Sequence, residues 1–506
     1  MDRKMEENVL RWLKEELDQE DLIESEQEED LREEENIVHS PHDTDTEQED
    51  QADEYSEDAE QSSVSDDSMP LAELATYKSR NETEWRKRPF PTTRVRSHNI
   101  IQRTLGPKGT ASNASTSLQC FELFFDSDIF ESLVKCTNIY IDTIKNKYKR
   151  ERDAKPTTLT EMRAFVGLLI VIGVNRSGRQ NLKDFWDNSI GTGFELVYLT
   201  MSINRFRFLL RSVRFDDIRD RPQRQEIDKL AAIRSFIEAI RCHCLEYYTP
   251  SENLTLDEQL VAFRGRCRFI MYLPNKPAKF GIKIFMVVDT KCPYVYNFEV
   301  YCGEQPEGPF HISNKVADLT NRLLEPLIRM GCNVTMDNWF TSYPVALQLL
   351  EKRITVVGTL KGNKPEIPPN FKTSRDREIN SSLFGFQKNC TLVSYVPKRN
   401  KTVLLLSTMH HDAAIDLTTG DAKKPEIITF YNQTKCGVDI VDRMCRQYDV
   451  SRNSRQYFNL KWATSVAHAS TYERFRGACT VVLMCLLKTA FIFEQLHVNY
   501  VFDVIS

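Results

Sequence analysis

The sequence predicts an α/β mixed fold in which an α-helical domain precedes a mixed-sheet core, behind a disordered acidic leader. Three observations predict it. Apolar residues recur at helical spacing from about Cys120 to Tyr248. From Leu254 onward, β-branched and aromatic segments take over and then alternate with helical ones. The first 70 residues are rich in Glu, Asp, Ser and Gln with few aromatics, too little apolar surface to offset chain entropy.

Residues 1–83 are therefore read as a disordered acidic region, with a transient acidic helix over Met1 to Leu22. Charge is sharply segregated along the 506 residues. Residues 1–70 hold 28 acidic and 5 basic side chains, net −23, whereas the remaining 436 hold 45 and 62, net +17. A body that positive either meets a polyanion, since phosphate neutralisation supplies most non-specific nucleic-acid affinity, or presents a solvated basic surface. The length excludes a short peptide ligand or a disulfide miniprotein. The start lacks the apolar core of a signal peptide, and the runs Phe165 to Val174 and Val481 to Leu487 are too short to cross a bilayer, so the protein is expected inside the cell. Its 13 cysteines are then reduced thiols. No CxxC pair occurs, and Cys242-His243-Cys244 on a helix points its ligands to different faces, so no zinc site is expected.

Residues 84–115, with Trp85, Arg86, Lys87, Arg88, Arg94, Arg96 and Arg103 punctuated by Pro89 and Pro91, read as a basic linker. The α-helical domain follows at 116–250, carried by Phe121, Phe124, Phe130, Leu133, Phe206, Leu209 and the Ile233 to Leu245 run. Residues 251–362 form the first part of the core. Three consecutive strands, read as antiparallel by their order, cover 253–263, 279–290 and 293–303; then come a helix over Val316 to Met330, a strand over 333–340, a helix from Pro344 to Lys352 and a strand over 355–360. Residues 363–425 are a β-rich insertion, 426–447 a helical return to the core, and 448–506 a helical C-terminal segment.

Four carboxylates stand where these elements bring charge to the edge of the sheet. Asp257 lies in the first strand, Asp337 at the end of a later one, and Asp439 and Asp442, three residues apart, share one helical face. Carboxylates converging from separate elements suit a hard cation such as Mg²⁺, and two such ions support phosphodiester cleavage. The plain alternatives are a turn at Asp337-Asn338, a strand-end surface residue at Asp257 and a solvated or capping helix stripe at Asp439 and Asp442. His410-His411-Asp412 is a rival cluster, read as a turn. Arg264, Arg266, Arg268, Lys276, Lys279 and Lys283 crowd the strands beside Asp257, where a DNA backbone would pass. Trp339 is placed either to stack on an unpaired base or to fill the core.

The motifs Asp257-Glu258 with Phe263-Arg264-Gly265-Arg266, Tyr272-Leu273-Pro274 with Lys276-Pro277 and Lys279-Phe280-Gly281, Asp337-Asn338-Trp339-Phe340-Thr341-Ser342, and Tyr431-Asn432 with Lys435, Gly437-Val438-Asp439 and Asp442, stand in this order. In wording and spacing the chain resembles the piggyBac transposase family over roughly residues 85–455. The resemblance implies a DDE-type recombinase with an RNase H-like catalytic core and a β-rich insertion, preceded by an α-helical dimerisation and DNA-binding domain. It implies catalysis by Asp257, Asp337 and Asp439, metal binding by these three and Asp442, and two Mg²⁺ (or Mn²⁺) ions. The implied reaction is DNA strand cleavage and strand transfer at TTAA sites, on double-stranded DNA, by a homodimer in the nucleus. The alternative is a domesticated DNA- or chromatin-binding derivative without transposition. No counterpart of the family's usual Cys/His-rich zinc domain is expected in this sequence: after Ser451 to Arg455 the likeness fades, and Cys479 and Cys485 are too sparse for a finger. Poor discrimination between terminal-repeat and scrambled duplexes is the expectation that follows.

Overall fold

The computed structural model describes residues 38–39, 75–91, 104–174, 181–189, 193–263, 267–274, 279–372 and 377–447. The rest of the acidic leader, the linker segment with Arg94, Arg96 and Arg103, and the 448–506 segment lie outside the described residues. In chain order the strands begin with β1 (Val38–His39), β2 (Thr76–Lys78), β3 (Glu84–Arg86) and β4 (Gly106–Pro107). Seven helices follow: α1 (Ser117–Phe124), α2 (Ser127–Ile144), α3 (Leu159–Val174), α4 (Glu195–Thr200), α5 (Ile203–Ser212), α6 (Arg221–Ile227) and α7 (Arg234–Glu246). Their starts are written in the sequence. Thr116 and Gln119 form a reciprocal capping box on α1, Asp126 caps α2 and Ser202 caps α5, each side-chain oxygen accepting from an otherwise unpaired backbone N–H.

The core opens with β5 (Tyr248–Thr249), β6 (Asn253–Ala262), β7 (Met271–Tyr272), β8 (Phe280–Asp289) and β9 (Val295–Val300). It continues through α8 (Val316–Leu324), β10 (Asn333–Met336), α9 (Tyr343–Glu351), β11 (Thr355–Thr359) and α10 (Pro369–Lys372). It ends with β12 (Ser382–Phe386), β13 (Thr391–Lys398), β14 (Lys401–Ser407), α11 (Glu426–Thr434) and α12 (Gly437–Gln447). β8 pairs antiparallel with both β6 and β9, while β10 runs parallel to β6 on one side and to β11 on the other. The spatial order β9-β8-β6-β10-β11 is the five-stranded frame of an RNase H-like core, as expected.

Several elements differ from the sequence expectation. The helix read through to Met330 stops at Leu324 and tightens into a 3₁₀ turn, because Pro326 has no N–H to donate. The strand read through to Phe340 ends at Met336, where Asp337 starts a turn. The β-rich insertion is no separate unit. β14 pairs antiparallel with β11, and β13 and β12 extend the same sheet.

The region read as leader and linker is also corrected over the described residues. Val38–His39 pairs in parallel with Met271–Tyr272, and β2 and β3 form a hairpin whose Arg86 pairs with Phe386 of β12. The reason is Trp85. It is 1% exposed, donates its indole N–H to the Glu366 carbonyl at 2.9 Å and meets the Tyr343 ring edge-on at 5.8 Å. With Tyr77 edge-on to Phe371 at 5.1 Å, this indole anchors the hairpin on the insertion. Trp85→Ala is expected to destabilise the protein by about 3–5 kcal/mol, the usual range for emptying a buried tryptophan site, as read by chemical denaturation.

The helical domain and the core share one apolar interior. Phe124 of α1 meets Tyr294 at 6.3 Å, and the Tyr294 hydroxyl donates to the Cys244 carbonyl of α7 at 2.9 Å. Cys244 is buried and His243 faces Asp126, while Cys242 is exposed, so this trio holds no common ligand point. His410 follows the bend at Thr408 and Met409 that leaves β14, with its Nδ1 2.8 Å from the Ser407 hydroxyl and its ring edge-on to Phe430. That is the turn reading.

Candidate active site

Two parallel strands in register create the site. Leu256 of β6 stands opposite Met336 of β10, so the next residues, Asp257 and Asp337, emerge side by side where β10 leaves the sheet. The Asp337 carboxylate is held by the turn it begins: its Oδ1 accepts from the backbone N–H of Trp339 at 2.9 Å and of Phe340 at 3.3 Å. Thr341, fully buried, donates its hydroxyl to the Asp337 carbonyl at 2.6 Å and its N–H to the same oxygen at 3.1 Å. Asp257 Oδ1 accepts from the Glu258 N–H at 2.8 Å.

Ligand oxygens of Asp257, Glu258 and Asp337 all lie within 4.8 Å of one another. Glu258 is the member that sequence reasoning passed over. Strand alternation sends neighbouring side chains to opposite faces, so the Asp257-Glu258 pair offered only one of the two as a ligand. Its adjacency to Asp257 in the motif was the available signal.

Crowding three carboxyl groups has an electrostatic consequence. Burial first, and then the charges of Glu258 and Asp337, push the Asp257 carboxyl well above the usual carboxylate range. The phenol of Tyr431 on α11, also buried, is pushed up by burial and by the same two aspartates, which places it beside the cluster. A group whose folded pKa is raised contributes stability below its unfolded pKa and loses it as pH rises through the folded value. Asp257→Asn is therefore expected to raise the thermal midpoint at neutral pH in metal-free buffer. The gain should disappear below about pH 4, where an unperturbed aspartate is itself protonated. Thermal scans from acid to neutral pH check this, and a pH-independent difference would contradict the clustering.

An all-oxygen carboxylate set of this kind fits a hard divalent cation. Among the described residues, Asp439 and Asp442 fall outside the cluster. Both lie on α12, whose Gly437 packs against Thr255 of β6, while the Thr255 hydroxyl donates at 2.6 Å to the carbonyl of Thr434 at the end of α11. Asp442 accepts from Gln259 Nε2 at 2.9 Å, two residues beyond Asp257 on the same strand face, whereas Asp439 is exposed. Gln259 too carried no signal in the sequence, because its role depends on where α12 docks.

The basic residues separate. Arg268 and Lys279 are exposed near β7 and β8; Arg264, Arg266 and Lys276 lie outside the described residues. Lys283 corrects the expectation of a DNA-backbone contact. It is 1% exposed, with its ammonium 5.2 Å from both the Phe285 and Trp339 ring centres. Trp339 is half-buried, stacked on Phe285 at 5.4 Å and 9° and edge-on to Phe340.

A family model described as Transposase IS4 matches residues 116–471, well over half of the chain. The chain belongs to the piggyBac-type transposase family. It is 35% identical to a piggyBac transposase seen by cryo-EM in a synaptic complex with hairpin DNA, with a TM-score of 0.64 over 78% of this chain and 82% of that one. The human PiggyBac transposable element-derived protein 3 is 22% identical over 359 residues, 68% of this chain and 58% of the relative. The human PiggyBac transposable element-derived protein 5 is 22% identical over 219 residues, 42% of this chain and 41% of that protein. The chain thus spans less than two thirds of the length of these two curated relatives. Membership in the piggyBac family and the RNase H-like core agree with the strand order described above. Among the described residues, no helix is long and apolar enough to cross a membrane.

Proposed function

We propose that this protein is a piggyBac-like DDE/D transposase that cleaves and transfers DNA strands at TTAA sites, as a nuclear homodimer. The observation that carries the reading is the carboxylate cluster of Asp257 and Glu258, within β6, and Asp337, just past the end of the parallel strand β10. These residues would hold Mg²⁺ or Mn²⁺, two ions in the working enzyme, together with Asp439 and Asp442 of α12. When bound, such ions lower the pKa of a water and neutralise the leaving oxygen of a phosphodiester. The chain's own part is placement. The Asp337 turn fixes one carboxylate through two backbone N–H groups, and Gln259 holds Asp442 over the strand that carries Asp257. Arg268 and Lys279 offer exposed cations for the DNA backbone.

A second reading, a domesticated DNA-binding derivative without transposition, is favoured by one observation: Asp439 is exposed and apart from the other carboxylates. An excision assay with a TTAA-flanked substrate separates the two. Mg²⁺-dependent excision supports the transposase, and DNA binding without excision supports the derivative.

A further inference from the structure

Three buried threonines meet where the last two helices cross the strand pair that carries the carboxylates. Thr255 of β6 and Thr335 of β10 are register partners, 2% and 0% exposed, and each stands two residues before an aspartate of the cluster, Asp257 and Asp337. Residues two apart on a strand share a face, so the Thr255 side chain rises on the side of Asp257. Both hydroxyls end on one residue, Thr434, the last of α11. The Thr255 hydroxyl donates to the Thr434 carbonyl at 2.6 Å, and the Thr335 hydroxyl lies 2.7 Å from the Thr434 hydroxyl. Thr434 gives its own proton to the Phe430 carbonyl one turn back, at 2.9 Å, so Thr335 is the donor between the two hydroxyls.

A helical threonine satisfies its hydroxyl through that carbonyl alone. The two further bonds tie the helix end to both strands at once. They act where backbone pairing stops, since the β6–β10 ladder ends at Leu256 and Met336, directly before the two aspartates. Just past Thr434, Gly437 opens α12, the helix of Asp439 and Asp442, so close to the sheet that a Cβ there would lie 2.6 Å from the Thr255 hydroxyl. One side chain thus links the three elements that supply the carboxylates. We propose that Thr434 is a positioning residue for the metal site: it fixes the separation of Asp257 from Asp337 and the height of α12 above them, and so sets affinity for the divalent cation. The proposal rests on the metal-dependent reading above and adds to it a residue outside the carboxylate set. Hydrogen-bonded partners behind metal ligands carry roughly 10–100-fold of metal affinity.

Mn²⁺ binding to the full chain, read from the EPR signal of the free ion, tests this without reference to catalysis. Thr434→Val keeps the shape and removes the hydroxyl, and Mn²⁺ affinity is expected to fall by about 10–100-fold. Thr434→Ser, which returns the hydroxyl, should restore most of it. Thr391→Val is the control. Thr391 is also fully buried and gives its hydroxyl to the His410 carbonyl at 2.8 Å, within the insertion, so its loss should lower stability and leave Mn²⁺ affinity unchanged. If Thr434→Val does not fold, Thr335→Val breaks the same 2.7 Å bond from the other side and should weaken Mn²⁺ alike. The idea is overturned if either variant folds and binds Mn²⁺ as wild type does, or if Thr391→Val weakens binding equally. Failure of the transposase reading would look different: wild type binds Mn²⁺, Thr434→Val weakens it, and no DNA is cut by either. Wild-type protein that binds no Mn²⁺ would overturn both.

Discussion

Asp337→Ala is expected to lower Mg²⁺-dependent strand cleavage by about 10³-fold or more, beyond the roughly 10–100-fold cost of losing a group that only orients a metal ligand. Asp337 is the cluster member most firmly held. Two backbone N–H groups fix its Oδ1, and its own carbonyl is clamped by Thr341. Removing it leaves Asp257 and Glu258, which sit next to each other on a single strand and cannot grip a cation from two sides. Affinity for DNA should change little, because Arg268 and Lys279 are untouched. Cleavage kinetics beside anisotropy on the same duplex provide the check. Loss of binding and cleavage together would mean that Asp337 holds the fold rather than the metal.

The second large effect comes from a residue without a side chain. Gly358 of β11 stands opposite Met336 in register, and a Cβ there would lie 2.2 Å from the Thr341 hydroxyl and 2.9 Å from the Met336 carbonyl. Backbone cannot yield as a flexible side chain does, so Thr341 must move, and with it the hydrogen bonds that close the Asp337 turn. Gly358→Ala is expected to cost about 1–3 kcal/mol by overpacking. Cleavage should drop by about 10²-fold with every carboxylate still present, the scale of a 1 Å misplacement at a reacting centre. Gly362→Ala is the control, since a Cβ at Gly362 meets nothing within 4 Å. Denaturation and cleavage assays on both variants decide it, and equal effects would remove the packing explanation.

Much of this architecture was legible before any coordinates. Periodicity marked the helices through Phe206, Leu209 and Ile240, and β-branched runs marked β6, β8, β9, β10 and β11, because both signals are local consequences of which face each residue buries. The same local logic found Asp257 and Asp337. It missed the hairpin at Trp85, since charge and proline dominate residues 84–91 and contacts more than 250 residues away, to Tyr343, Glu366 and Phe371, decide their place.

What the sequence by itself determined is the set of elements, the family motifs and the two aspartates on neighbouring strands, Asp257 within β6 and Asp337 just past the end of β10. What only the tertiary structure decided is which groups meet. Glu258 joins the cluster, Gln259 reaches Asp442, Asp439 stays exposed, and Lys283 turns inward onto Trp339. The physical reason is that burial pattern is encoded residue by residue. Meeting in space depends on strand register and on how α12 packs over the sheet, and these are sums of many weak contacts that no single segment carries.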